Sequence, residues 1–174
     1  LGAISGARSE ILIANAYFFP GQSFRRALME AASRGVRVML LLQGRVEYVL
    51  LHYASRALYG AFLDAGIEIH EYHSSFLHAK VAVIDRRWAT VGSSNIDPFS
   101  FLLAREANVV IEDRQFAAEL RDHLAGAMAA GAGEVRRERW KEQPVALRTA
   151  TWFAYGVARL LTGVFAYGQR RELT

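Results

Sequence analysis

Apolar positions fall into two rhythms along this chain. Residues 10–19 (EILIANAYFF) form a nearly unbroken apolar run that stops at Pro20-Gly21, the pattern of a buried strand followed by a breaker. Over 23–34 the apolar residues Phe24, Leu28, Ala31 and Ala32 recur at helical spacing, and Gly35 is a stop signal. A second buried strand is predicted over 36–43 (VRVMLLLQ). A helix follows over 47–65 with Gly66 at its end, and an alternating strand over 67–72 (IEIHEY). Strand, helix, strand, helix, strand predicts an α/β fold: a mixed, largely parallel sheet with helices on both faces.

After residue 72 the rhythm changes. Three short strands are predicted in close succession, over 77–85, 88–93 and 106–112, with Asp85-Arg86-Arg87 as a hairpin turn between the first two. Asp113 is placed to cap a helix running to about residue 130, with Phe116, Leu120 and Leu124 on one face. Residues 131–143 are rich in Gly and charge and read as a linker, and 144–168 form a final helix. The expected organisation is therefore a domain over 1–130, a linker over 131–143 and a C-terminal helix over 144–168.

Composition narrows the chemistry. With 174 residues, 52% of them hydrophobic and 22% charged, the chain is globular and of single-domain size. It has no cysteine, which excludes a disulfide scaffold, thiolate metal sites and a cysteine nucleophile. Net charge is +4, and of 21 basic residues only Lys80 and Lys141 are lysines. An Arg-rich basic surface suits phosphate-bearing partners. The opening Leu1-Gly2-Ala3-Ile4 lacks Met and a basic-then-apolar leader, so the sequence reads as starting inside a longer chain.

The informative stretch is 77–95 (LHAKVAVIDRRWATVGSSN). Residues two apart on a strand share a face, so His78 and Lys80 point together. Asp85, at odd spacing from both, points the other way and is expected to make an ion pair or hydrogen bond off the reactive face. Ser93 and Asn95 share parity, and pairing through the Arg86-Arg87 turn brings them toward His78 and Lys80. Gly92 keeps the backbone open beside them. An imidazole, an ammonium, a hydroxyl and an amide in one place suit phosphoryl transfer. Lys80 neutralises a phosphate oxygen, Asn95 and Ser93 donate to others, and His78 attacks phosphorus or protonates a leaving oxygen. With no carboxylate cluster beside them, neither a metal nor another cofactor is expected.

His78-x-Lys80, four residues, Asp85, six residues, Gly92-Ser93-x-Asn95 resembles the full signature of the phospholipase D superfamily. Residues 15–20 (NAYFFP), 65–72 (AGIEIHEY), 88–98 (WATVGSSNIDP) and 106–114 (EANVVIEDR) resemble the C-terminal half of bacterial cardiolipin synthases, especially the B-type. The resemblance implies a bilobal enzyme in which each half supplies one motif. One His attacks a phosphodiester to give a phosphohistidine, and the other protonates the leaving alcohol and then deprotonates the acceptor. It implies phosphatidyl transfer between phospholipids, with phosphatidylglycerol as the expected substrate, at the cytoplasmic face of the inner membrane as a peripheral protein. It also implies that Glu106 hydrogen-bonds a catalytic His and fixes its tautomer.

None of the other four histidines starts a second His-x-Lys. The partner is therefore an N-terminal half of the same protein or a second copy, and the 174 residues alone are expected to be inactive. A phospholipase D-type phosphodiesterase and a single-motif homodimeric endonuclease are the alternatives. The apolar strand end and the amphipathic tail weigh against nucleic acid.

Asn15 and Tyr17 lie where ligands bind in open α/β sheets, beyond the C-terminal edge of the first strand, and are candidate substrate-binding residues with Gly92. On a helical wheel of the tail, Arg148, Thr151, Tyr155, Arg159, Thr162 and Gln169 share one side, with Trp152 at its edge. Ala150, Phe153, Val157, Leu160, Leu161 and Val164 form the other. That pattern fits either a helix lying on an anionic membrane surface or one whose apolar face docks on the domain or on its missing half.

Overall fold

The structure is a computed structural model that describes residues 1–98, 100 and 105–172, with side chains through residue 163. Seven strands form one sheet: β1 (Glu10–Asn15), β2 (Arg37–Gln43), β3 (Glu68–Tyr72), β4 (Lys80–Ile84), β5 (Trp88–Gly92), β6 (Asn108–Ile111) and β7 (Ala132–Glu134). Their order is β6-β5-β4-β1-β2-β3-β7. The helices are α1 (Gly2–Ser5), α2 (Gln22–Ser33), α3 (Val49–Arg56), α4 (Tyr59–Asp64), α5 (Arg114–Gly131), α6 (Arg137–Lys141) and α7 (Val145–Glu172). The expected mixed α/β class is present. Parallel pairing is confined to β1–β2 and β2–β3, and the other four strand pairs are antiparallel.

Alternation along the central strand splits the core in two. Ile11 and Ile13 of β1 face a cluster with Val38, Leu40, Ile69, Leu28 and Phe62, whereas Leu12 and Ala14 face Met39, Leu41, Val83 and the α5 residues Ala117 and Leu124. Gly35 and Gly66 end their helices at φ 86° and 80°, a conformation that a Cβ disfavours. Asp113 caps α5, accepting from the Phe116 N–H at 2.7 Å.

Four expectations are corrected. The 10–19 run pairs as a strand only to Asn15. Beyond it the chain turns to the motif loop, where Ala16 N–H donates to the Ala79 carbonyl (3.0 Å) and Phe19 N–H to that of Ile96 (2.7 Å). The helix expected over 47–65 breaks at Ala57-Leu58 into α3 and α4, which turns Tyr59 and Phe62 into the core. The linker over 131–143 is largely structured. β7 closes the open edge of β3 (Tyr72 opposite Ala132), and Trp140 of α6 stacks on Tyr59 at 5.1 Å beneath the Arg56 guanidinium at 5.3 Å.

The fourth concerns the tail. α7 does not dock through its apolar face, and its contact side follows neither half of the wheel: Thr151, Ala154, Ala158 and Thr162 are buried, while Arg148 and Arg159 are exposed together with Phe153 and Leu160. Small side chains allow close approach. The two threonines remove their hydroxyl cost by donating to the Arg148 and Arg159 carbonyls, at 2.7 and 2.9 Å. Val164 and Gln169 of the wheel lie outside the described side chains.

Candidate active site

Register places the motif at one edge of the sheet. β1 and β2 end there at Asn15 and Gln43. The antiparallel β4 begins there at Lys80, opposite Asn15, and β5 leaves there at Gly92, opposite Asn108 of β6. The β1–β4 register ends at Asn15–Lys80, followed by one further bond from Ala16 N–H to the Ala79 carbonyl, so β4 starts at Lys80 rather than at residue 77. His78 thus sits in irregular backbone just outside the ladder, exposed to solvent.

Lys80 and Asn95 line one cavity of about 420 Å³ together with Asn15. Lys80 as a residue is only 8% exposed, and its ammonium donates one hydrogen bond, to the His78 carbonyl at 3.1 Å. Burial pushes its pKa down, and the carboxylates of Glu106 and Glu47 oppose that shift. Asn95 has a buried Oδ1 with no hydrogen-bond partner, a position that a 180° turn of the amide would fill with its Nδ2–H donor. A phosphate oxygen entering this cavity would meet the Lys80 ammonium and, with the amide so turned, the Asn95 N–H. Along the same cavity, Ala82, Ile84 and Trp88 supply an apolar wall.

The remaining candidates divide by what they touch. Asn15, expected to bind substrate, is buried, and its Oδ1 accepts from the Ile96 N–H at 3.1 Å, which holds the motif loop in place. The Ser93 hydroxyl accepts from Ala107 N–H at 3.1 Å while Ser93 N–H donates to the Ala107 carbonyl at 3.0 Å, so this residue ties the loop to the start of β6. Gly92 is needed for a different reason from the one expected: a Cβ there would collide with the Asn108 side chain and the Ala107 carbonyl. Tyr17 donates its hydroxyl to Glu47 outside the Lys80 cavity, and burial together with that carboxylate raises the phenol's pKa far above its ordinary range. Glu106 acts on Lys80 through its charge; among the described residues no hydrogen bond joins it to His78.

Asp85 lies at the opposite end of β4. With φ 52° it opens the hairpin turn, and Arg87 N–H closes that turn on the Ile84 carbonyl at 3.2 Å. Its carboxylate accepts from the N–H groups of Arg8 (2.9 Å), Ser9 (2.8 Å) and Glu10 (3.0 Å) and from the Ser9 hydroxyl (2.8 Å). Burial alone would raise its pKa, and those donors outweigh burial and hold it below the ordinary carboxylate range. The structure places Asp85 away from the edge that carries His78 and Lys80.

Glu47 was not singled out by sequence reasoning. Its signal is positional, as a carboxylate four residues after the strand-ending Gln43, and it reaches both Tyr17 and the field at Lys80.

Comparison with known proteins gives the family and the fold. A family profile described as "Cardiolipin synthase, PLD-like domain" matches residues 1–128. Cardiolipin synthase B of Escherichia coli K12 is 48% identical over 135 residues, covering 78% of this chain and 33% of the relative. Cardiolipin synthase 2 of Bacillus anthracis is 38% identical over 125 residues, covering 70% and 24%. Among solved structures, the phospholipase D family member Nuc from Salmonella typhimurium superposes with a TM-score of 0.65 at 23% identity, over 78% of this chain and 87% of that one. The phosphatidylserine synthase of Haemophilus influenzae gives 0.71 at 12% identity, over 92% and 42%. Those two superpositions define the fold as that of phospholipase D. The chain belongs to the cardiolipin synthase family with a phospholipase D-like domain. It spans about a third of the length of its Escherichia coli relative.

Proposed function

We propose that this chain is one catalytic half of a phosphatidyltransferase that makes cardiolipin from phospholipid at a membrane surface, with phosphatidylglycerol as substrate. The observation that carries the reading is the joint placement of Lys80 and Asn95 in one cavity at the sheet edge where His78 lies, the Lys80 ammonium donating to the His78 carbonyl. The names of the relatives agree with it.

In the first step one imidazole, from His78 or its counterpart in the opposing half, attacks phosphorus. A P–N bond forms and the P–O bond to glycerol breaks, the other imidazole giving its proton to the departing oxygen. In the second step that imidazole takes the proton from a phosphatidylglycerol hydroxyl, whose oxygen attacks phosphorus as the P–N bond breaks. Lys80 and Asn95 stabilise the charge on the non-bridging oxygens in both steps. The opposing half is an N-terminal lobe of the same protein or a second copy.

The test is to incubate the complete protein with labelled phosphatidylglycerol and separate the lipids. Cardiolipin is the expected product. Phosphatidic acid would instead mark a hydrolase, and unchanged lipid would defeat the proposal.

A further inference from the structure

α7 turns the usual amphipathic arrangement inside out. Its docked side is small and hydroxylated, and its outward side carries Trp152 (58% exposed), Phe153 (75%) and Leu160 (68%), with Val145 and Leu161 extending the same surface. Nothing among the described residues covers these side chains, although an isolated globular domain gains by burying them. The charges around them have one dominant sign. Between residues 136 and 163 there are six basic residues and two acidic ones, and α7 itself has Arg148 and Arg159 with no acid from Val145 to Gly163. The acids, Glu138 and Glu142, sit at α6 and just after it, before α7 begins. Arg148 also lines a groove with Arg25, Lys141 and Trp152. No helix among the described residues is long and apolar enough to cross a membrane.

We infer that the outward face of α7 is a membrane-docking surface that lies on anionic lipid, with Trp152, Phe153 and Leu160 entering the acyl boundary and Arg148 and Arg159 meeting headgroup phosphates. Charge complementarity selects this occupant, because the apolar stripe is flanked by cations that an uncharged protein surface would leave unpaired. The indole is suited to the boundary, being apolar in body and polar at its N–H. The docked side of the helix also reaches the motif edge. Trp152 packs on Tyr155 at 5.5 Å and Tyr155 on Phe19 at 5.5 Å, and Phe19 N–H bonds the carbonyl of Ile96, the residue after Asn95. A membrane held by α7 is thereby fixed relative to the cavity that takes the phosphate. The choice of phospholipid as occupant rests on the functional reading above.

The experiment is co-sedimentation of the full chain with vesicles of phosphatidylcholine, with and without phosphatidylglycerol. Two variants are compared: a triple Trp152→Ser, Phe153→Ser, Leu160→Ser, and a double Arg148→Gln, Arg159→Gln. All five side chains are solvent-exposed, and unchanged melting temperatures would establish folding. The wild-type chain should bind vesicles containing phosphatidylglycerol, and the triple variant should lose at least about tenfold in affinity. The double variant should weaken binding to the anionic vesicles alone. Equal binding by wild type and triple variant, or no binding by either, overturns the inference. So does a triple variant that changes the oligomeric mass on a sizing column but leaves vesicle binding intact, because the face would then close on a second copy. Failure here is separable from failure of the functional reading: vesicle binding without cardiolipin formation defeats only the latter, and cardiolipin formation with α7-independent binding defeats only the former.

Discussion

The two ends of β4 carry residues of the same motif and treat polar groups in opposite ways. At the Asp85 end every group is engaged. The carboxylate takes three backbone N–H groups and a hydroxyl, and beside it Glu10 accepts a paired set from Arg121 at 2.9 and 3.1 Å while Arg86 donates to Asp122 at 2.6 Å. At the Lys80 end groups are left unspent: an ammonium buried with one hydrogen bond, an amide oxygen with none, and an imidazole open to solvent. A single sequence signature therefore mixes residues that build the fold with residues held ready for a ligand, and hydrogen-bond saturation separates them. Unsatisfied polar groups cost stability, and others lie away from this end at Arg25 and His70, so what marks the Lys80 end is the convergence of ammonium, amide and exposed imidazole in one place.

The largest effect that follows is at His78. In the complete protein, His78→Ala should lower cardiolipin formation by at least about 10³-fold, because an imidazole that bonds to phosphorus or moves a proton has no substitute nearby. The side chain is exposed, so the unfolding free energy from urea titration should stay within about 0.5 kcal/mol of wild type. A normal product yield would remove the Lys80 end from the chemistry altogether.

Lys80→Met should be smaller in rate and opposite in stability. Losing the cation that faces the phosphate should slow transfer by about 10²-fold. The same change removes a buried charge whose desolvation already lowers its pKa, so the variant's unfolding free energy should equal or exceed that of wild type, by up to about 1 kcal/mol. A marked loss of stability would mean that this end, too, is architecture.

How far these differences could be read from residues alone varies with their cause. Local rules read well. The apolar runs of β1 and β2, the glycine stops after α2 and α4 and the turn at 85–87 each follow from the residues that form them. That Asp85 lies apart from Lys80 was legible too, although the cause is the length of β4, which ends at Ile84 and leaves Asp85 in the turn at φ 52°, and not the strand parity expected. What depends on a distant partner was not. Ala132-Gly133-Glu134 has no strand pattern of its own and pairs because β3 presents an open edge. The role of Gly92 is set by Asn108, sixteen residues away. The wheel of α7 grouped Arg148 and Arg159 with Thr151 and Thr162, yet the arginines are exposed with Phe153 and Leu160 while the threonines dock, because helix contact rewards small size as well as hydrophobicity.

Asp85 supplies the finest discrimination, because its effect is on stability alone. Asp85→Ala removes an acceptor from three backbone N–H groups and one hydroxyl and places an alanine at φ 52°, which together should cost about 2 kcal/mol. Asp85→Asn keeps one acceptor oxygen and tolerates the left-handed backbone, so its cost should be about 1 kcal/mol. The pH dependence has a definite sign. The folded carboxyl titrates below its unfolded value of about 3.9, so its stabilisation is complete above about pH 5 and is lost as pH falls through 3.9 toward the folded value. The stability gap between wild type and Asp85→Asn should therefore narrow as pH drops from about 5 to 3, while the rate per folded molecule at neutral pH stays the same. A gap that widened on acidification, or a transfer rate that fell with the alanine variant at fixed folded fraction, would show that the two ends of β4 share the chemistry.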